Sequence, residues 1–323
     1  MSELADSRVL VIGGFGFIGV NLTAALVTRG ARVTVVTPSR ERHAAVADRF
    51  EQDDVRIIEA DVRDRDAMRD AVAGHGVVFN LSGQSGAVRS LEDPWTDLAV
   101  NLQGTLAVLE GLREANAGAK FVCVGSRLQY GKPARMPADE GAMGEPLCLH
   151  AIHKRTIEDY LTLYSRLYGL RATIARVTNP YGPGQPRGRT AYGVINRMIH
   201  LAIADQDIPI YGDGAQLRDY IHVDDVVRAL LALADSERAD GRAFNVGSGT
   251  GVALAQVADQ VVTIAGGGRL THVEWPPLAA QIETGDFIAD VSRIEREIGW
   301  TPTIRLPEGL SRTVSHYRGS ASA

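Results

Sequence analysis

The segment Val9-Leu-Val-Ile-Gly13-Gly14-Phe15-Gly16-Phe17-Ile18-Gly19 narrows the folds open to this chain more than any other stretch. A short apolar run rich in β-branched residues reads as a buried strand. The glycines then lead into a segment, Val20 to Gly30, with helical periodicity. Glycine allows a tight strand-to-helix turn, close backbone approach to a pyrophosphate, and close packing of helix on sheet. A helix N-terminus adds free N–H groups and the positive end of a dipole. The spacing fits both Gly14-x-Gly16-x-x-Gly19 and Gly13-x-x-Gly16-x-x-Gly19. Taken alone, such a match also describes an ordinary glycine-rich turn. Here strand, glycines and helix come in the order that dinucleotide binding requires.

The same alternation continues downstream. Arg32–Val36, Val55–Glu59, Val77–Leu81, Lys120–Val124 and Arg171–Arg176 read as strands. Arg40–Phe50, Asp64–Ala73, Trp95–Ala115 and His150–Tyr168 read as helices. This rhythm predicts an α/β protein with a Rossmann-type, doubly wound parallel sheet. At Asn179-Pro-Tyr-Gly-Pro-Gly-Gln-Pro the character turns loop-rich, and a smaller second lobe is expected to start there. Ala243–Val246 reads as a strand able to return to the sheet. The expected division is therefore a dinucleotide-binding domain over 1–178, with returning segments near 219–247. An interleaved substrate lobe would take 179–218 and 248–318. A chain of 323 residues, 45% of them hydrophobic, can bury such a core, and a net charge of −5 leaves no nucleic-acid footprint. No apolar run is long enough to span a membrane. Two cysteines, Cys123 and Cys148, make neither a disulfide framework nor a zinc site. The expectation is a cytoplasmic protein without a metal.

Several further segments resemble, in order, the extended short-chain dehydrogenase/reductase family, specifically its nucleotide-sugar epimerases and dehydratases. They are Asp61-Val62, Asn80-Leu81-Ser82-Gly-Gln84, Val100-Asn101-Leu-Gln-Gly-Thr105 and Val124-Gly-Ser126-Arg-Leu-Gln-Tyr130-Gly131. His150-x-x-x-Lys154, Arg176-x-x-Asn179-Pro-Tyr181 and Gly212-Asp-Gly-x-Gln216-x-Arg218-Asp-Tyr220 follow, then Phe244-Asn-Val-Gly247 and Gly299-Trp300-x-Pro302. The resemblance covers nearly the whole chain and implies an enzyme that binds NAD or NADP and a nucleoside diphosphate sugar. On the cofactor it places Gly13, Gly16, Phe17, Ile18, Gly19, Asp61 at the adenine amino group, Val62, Leu81, Ser82 and Lys154. On the substrate it places Ser126, Asn179 at the sugar-linked phosphate and Arg218 at the diphosphate. Such enzymes oxidise a sugar hydroxyl by hydride transfer to the nicotinamide while a base takes the hydroxyl proton.

Departures from the family pattern carry as much information as the matches. Where the family has the Tyr of Tyr-x-x-x-Lys, this chain has His150, with Ser126 and Lys154 retained. Three readings stay open. His150 is the base, since an imidazole near 6.5 is largely neutral at pH 7. Alternatively the redox step is lost, or the base is Tyr181, Tyr192, His153 or Cys148. His153 itself reads as a solvated helix position. At the end of strand two the usual ribose-binding Asp is replaced by Thr37, followed by Arg40 and Arg42. Those arginines either accept a 2′-phosphate or begin a solvated helix, so NAD is expected and NADP stays possible. Arg127 and Leu128 stand where the 4,6-dehydratases carry Asp-Glu, which disfavours dehydration. Arg127 either holds a substrate carboxylate or phosphate or faces the surface. Glu283-Thr-Gly285-Asp286 matches an Arg-x-Gly-Asp region without its Arg, and Asp290 either touches the ribose or caps a turn.

Leu98, Leu102, Leu106, Leu109, Ile157, Leu161, Tyr164 and Leu167 spread over more than one face of their two helices, which calls for a second burial surface. The family pairs these helices in a four-helix bundle, and a homodimer is the corresponding expectation. The favoured reading is an epimerase acting through transient oxidation at C4 of a nucleotide-linked hexose. A nucleotide-sugar reductase or dehydrogenase, and a redox-inactive dinucleotide-binding sensor or scaffold, are the alternatives.

Overall fold

A computed structural model describes residues 4–39, 41, 46, 49–50, 54–185 and 193–319. Twelve strands form three sheets among these residues. In chain order the strands are β1 (Arg8–Ile12), β2 (Arg32–Thr37), β3 (Val55–Glu59), β4 (Val77–Asn80), β5 (Lys120–Ser126), β6 (Arg171–Val177), β7 (Asn179–Tyr181), β8 (Asp207–Tyr211), β9 (Leu217–His222), β10 (Arg242–Val246), β11 (Gly251–Ala253) and β12 (Arg269–Val273). Seven of them make one parallel sheet in the order β10-β6-β5-β4-β1-β2-β3. The apolar runs that announced these strands are buried on both faces, with Val9, Val11 and Phe79 in one core layer and Leu10, Ile12 and Phe121 in the other. Such near-continuous apolar strands are what a parallel sheet covered by helices demands.

The chain winds from β1 outward through β2 to β3, then crosses back to pair β4 with β1 and winds the other way. That reversal opens a crevice beyond the C-terminal ends of β1 and β4, the place where open α/β sheets bind ligands. Residues 13–19 leave β1 there, and residues 81–84 leave β4. Of the expected helices, α1 (Phe17–Thr28) begins three residues before Val20, because Gly16 already serves as its N-cap. Next comes α2 (Arg65–Val72), capped by the Asp64 carboxylate accepting from Ala67 N. The helix expected over 40–50 lies largely outside the described residues. The long helix expected over 95–115 is composite: Pro94–Asp97 is α-helical, Leu98–Gln103 is wound as a π-helix, and Gly104–Ala115 is α-helical again. Leu149–Tyr168 forms one continuous helix, closed by Gly169 in the left-handed conformation.

From Asn179 the chain builds a three-stranded sheet, β11-β9-β7, and a β12-β8 pair. Residues 219–222 lie in the three-stranded sheet. The chain rejoins the main core through the helix Val223–Asp235 and then through β10, which pairs in parallel with β6 as an edge strand. A separate apolar cluster of Ile199, Ile210, Val257 and Leu310 holds the later segments together. No helix among the described residues is long and apolar enough to cross a membrane.

Candidate active site

The glycine turn is fixed by backbone contacts. Gly13 has φ +81°, and its N–H donates to Val36 O at 2.9 Å. A Cβ there would stand 2.9 Å from Ser82 N, and one on Gly19 would stand 2.2 Å from Gly13 O. Both positions therefore exclude a side chain for reasons internal to the fold. Gly16 differs: a Cβ would meet only Gly13 O, at 3.3 Å. No side chain caps the N-terminus of α1, and Gly16, Phe17 and Ile18 are part-exposed while Gly14 and Gly19 are buried. The result is an open backbone cradle with free N–H groups at a helix start, which fits a dinucleotide pyrophosphate.

The remaining expected cofactor residues flank this cradle. Leu81 N donates to Ile12 O at 2.9 Å, and Ser82 Oγ donates to Asn80 Oδ1 at 2.6 Å. Thr37 is buried at the end of β2 and donates to Ser39 O at 3.1 Å. Val62 is buried against Gly104. The Asp61 carboxylate is gripped by Arg63 Nε and Nη2 at 2.8 and 2.6 Å, and this bonding lowers its pKa. An adenine contact at Asp61 must share that carboxylate with Arg63. Arg40 and Arg42 lie outside the described residues.

Lys154 is buried and donates from Nζ to Val124 O at 2.8 Å, which ties it to β5 two residues before Ser126. Burial lowers its pKa. Ser126 ends β5 and caps the turn Arg127–Tyr130, accepting from Leu128 N at 3.2 Å. His150 is buried one helical turn before Lys154, and its Nδ1 lies 3.4 Å from Asp97 Oδ2. Burial lowers its pKa, against the opposing pull of Asp97. His153 corrects the reading of a solvated position. It is buried, with Nδ1 2.6 Å from Asp97 Oδ1. The other base candidates fare worse. Burial raises the pKa of Cys148 and of Tyr181, whose hydroxyl donates to Leu306 O at 3.4 Å, and Tyr192 lies outside the described residues.

On the substrate side the structure brings together residues far apart in sequence. Arg127 Nε donates to Asn179 Oδ1 at 2.9 Å and its Nη1 to Thr284 Oγ1 at 3.0 Å, so it faces inward rather than to the surface. Burial and the neighbouring Arg218 lower its pKa to about 10, leaving it charged at neutral pH. Among the described residues it makes no ion pair. Arg218 is buried, donates to Gly285 O at 2.7 Å, and pairs with Glu283. Tyr220, which sequence reasoning passed over, puts a buried hydroxyl near both arginines, with no hydrogen-bond partner among the described residues. Its place in the Arg218-Asp-Tyr220 segment was the available signal. Asp290 accepts from Ser292 N at 2.8 Å, the capping alternative. No cluster of metal-ligating side chains occurs among the described residues.

Residues 9–247 match the NAD dependent epimerase/dehydratase family. The chain belongs to this family. It is 30% identical to a UDP-glucose 4-epimerase of Mycolicibacterium smegmatis, over 97% of this chain and 99% of that protein. It is 29% identical to a UDP-N-acetyl-alpha-D-glucosaminuronate decarboxylase of Bacillus cytotoxicus, over 96% and 98%. Among solved structures, a UDP-glucose 4-epimerase of Thermus thermophilus in complex with NAD superposes with a TM-score of 0.83 at 29% identity, covering 97% of this chain and 99% of that one. A member of this family is an NAD-dependent enzyme whose relatives are named for epimerisation, decarboxylation and 4,6-dehydration of nucleotide sugars, on one Rossmann-type fold.

Proposed function

We propose that the protein is an NAD-dependent epimerase of a nucleoside diphosphate sugar that works through transient oxidation at C4 of the hexose. The observation that carries this reading is the pair after Ser126. Arg127 is tied to Asn179 and Thr284, and Leu128 is apolar, so neither supplies the acid and base that elimination of water needs. One base and one buried lysine suffice for reversible oxidation at a single carbon.

The Gly13–Gly19 cradle would hold NAD, which when bound would supply the hydride acceptor and donor for this reversible oxidation. His150 accepts the C4 hydroxyl proton on Nε2, the nitrogen turned away from Asp97, and gives it back to the re-formed hydroxyl. Ser126 hydrogen-bonds that hydroxyl and steers its lone pairs. Lys154 holds the nicotinamide ribose and, being positive, keeps the nearby imidazole neutral. Arg218, Asn179 and Tyr220 anchor the diphosphate, with Arg127 at the sugar end. A second reading has its own support. Arg127, a part-buried guanidinium without a carboxylate partner among the described residues, suits a sugar that itself carries a carboxylate.

The test is incubation with a panel of neutral and acidic nucleotide hexoses, followed by NMR of the products. Interconversion of C4 epimers supports the proposal. Carbon dioxide release, or a 4-keto-6-deoxy product, would replace it with decarboxylation or dehydration. An NAD-saturated protein inert toward the whole panel would point to the sensor alternative.

We also propose a homodimer. Leu109, Ile157 and Leu161 are buried in the chain's own core and lend it no support. Trp95, Ile152, Leu163 and Leu167 supply the argument, exposed at 78%, 43%, 38% and 57% along one pair of helices. Sedimentation should show a dimer that Leu167→Glu dissociates; a monomeric wild type would end this proposal.

A further inference from the structure

Asp97 stands out as a charge without an obvious reason. Its side chain is fully buried, and among the described residues it pairs with no lysine or arginine. Burying a lone carboxylate costs several kcal/mol unless its oxygens are satisfied. Here Oδ1 takes His153 Nδ1 at 2.6 Å and Oδ2 lies 3.4 Å from His150 Nδ1. Asp97 and Asn101 flank the change from α- to π-winding at Leu98, a distortion that recurs at functional sites. Asn101 Nδ2 donates to Gln84 O at 2.9 Å, in the loop that follows β4. The π-wound segment that follows Asp97 is thus bonded to the same loop that borders the cofactor cradle.

We propose that Asp97 is a positioning residue that, anchored by His153, orients the His150 ring so that Nδ1–H faces the carboxylate and Nε2 presents its lone pair to the substrate. The inference rests on the reading of His150 as the base. A carboxylate behind an imidazole fixes both tautomer and ring direction, and it stabilises the imidazolium formed when a proton is taken. The 3.4 Å separation is long for a hydrogen bond in the free protein. Such catalytic contacts tighten when substrate binds.

The cluster also sets the sign of two pH effects. The groups facing His150 are Asp97 from the preceding helix, and His153 and Lys154 from its own. The buried thiols Cys148 and Cys123 stand behind Asp97 and Lys154. Asp97 favours the protonated imidazole of His150, whereas His153 and Lys154 oppose it. Removing the Asp97 charge should therefore move the acid limb of the rate profile to lower pH, and removing His153 should move it to higher pH.

The experiment compares wild type, Asp97→Asn, His153→Gln and His150→Ala by pH–rate profiles on a turned-over nucleotide sugar, with 15N NMR of the imidazoles. Asp97→Asn should lower kcat by as much as about 10⁴-fold, the scale for turning the carboxylate behind a catalytic imidazole into an amide, with little change in KM. The NMR should show neutral wild-type His150 carrying its proton on Nδ1. Limbs that shift in opposite directions in the two variants support the proposal. Unchanged limbs, shifts in the same direction, or wild-type His150 protonated on Nε2 would overturn it, provided His150→Ala is inactive. Near-normal turnover by His150→Ala would instead remove the base reading itself. If Asp97→Asn does not fold, His153→Gln and the wild-type tautomer decide the matter.

Discussion

The glycine turn and the arginine cluster hold the two ends of one proposed reaction, yet they are built on opposite plans. The turn is made of backbone within one stretch of chain, and three of its glycines are held in place by contacts under 3 Å that a Cβ would have to make. The cluster is made of side chains: Arg127 meets Asn179, Thr284 and the neighbourhood of Arg218 across more than fifty residues of sequence. In the turn, conformation is the specification and charge is supplied by a helix end. In the cluster, charge is the specification and the backbone only delivers it. The first kind of site fails through shape and the second through electrostatics.

That contrast is sharpest within the turn itself. Gly19→Val should prevent normal folding, because Gly13 O occupies the space a Cβ needs and backbone cannot move aside cheaply. Gly16→Val should fold, with a denaturation midpoint near that of wild type, and yet lose NAD binding measured by calorimetry or fluorescence. A Gly16→Val protein that binds NAD normally would remove the turn from the cofactor site.

A smaller effect is expected in the cluster. Arg218→Ala should weaken nucleotide-sugar binding by about 1.5–3 kcal/mol, the range for hydrogen bonds to charged groups, while NAD affinity stays unchanged. Equal loss of both ligands would show that the two regions are not separable. Smallest of all is Glu283→Gln. Glu283 pairs with the buried Arg218 in the free protein, so removing its charge should release the guanidinium and tighten the nucleotide sugar. Weaker binding in that variant would make Glu283 itself a ligand contact.

The same contrast explains what the sequence disclosed. The parallel sheet was legible because β-branched runs alternate with helical ones at regular intervals, and β10 could be placed from its apolar run alone. The cradle was legible because its determinants are adjacent residues. The composite helix after Pro94 was read as uniform, since π-winding leaves no mark in apolar periodicity. His153 was read as solvated because nothing near it in sequence partners its ring: Asp97, its partner, comes from another helix. The inward turn of Arg127 depended on Thr284, 157 residues away. Pairings of this kind belong to tertiary packing, and local pattern does not encode them.

The central claim is that His150 does the work of the family's tyrosine, and the pH dependence of kcat/KM on a turned-over nucleotide sugar tests it most directly, since that ratio reports the base of the free enzyme. Burial lowers the His150 pKa, so activity should be full at neutral pH and fall only on the acid side, with an apparent pKa below the ordinary value of about 6.5. His150→Tyr should move the limb to higher pH, because a phenol beside Lys154 starts from about 10. A wild-type acid limb that lies above about 6.5, or one that stays where it is in His150→Tyr, would contradict the account.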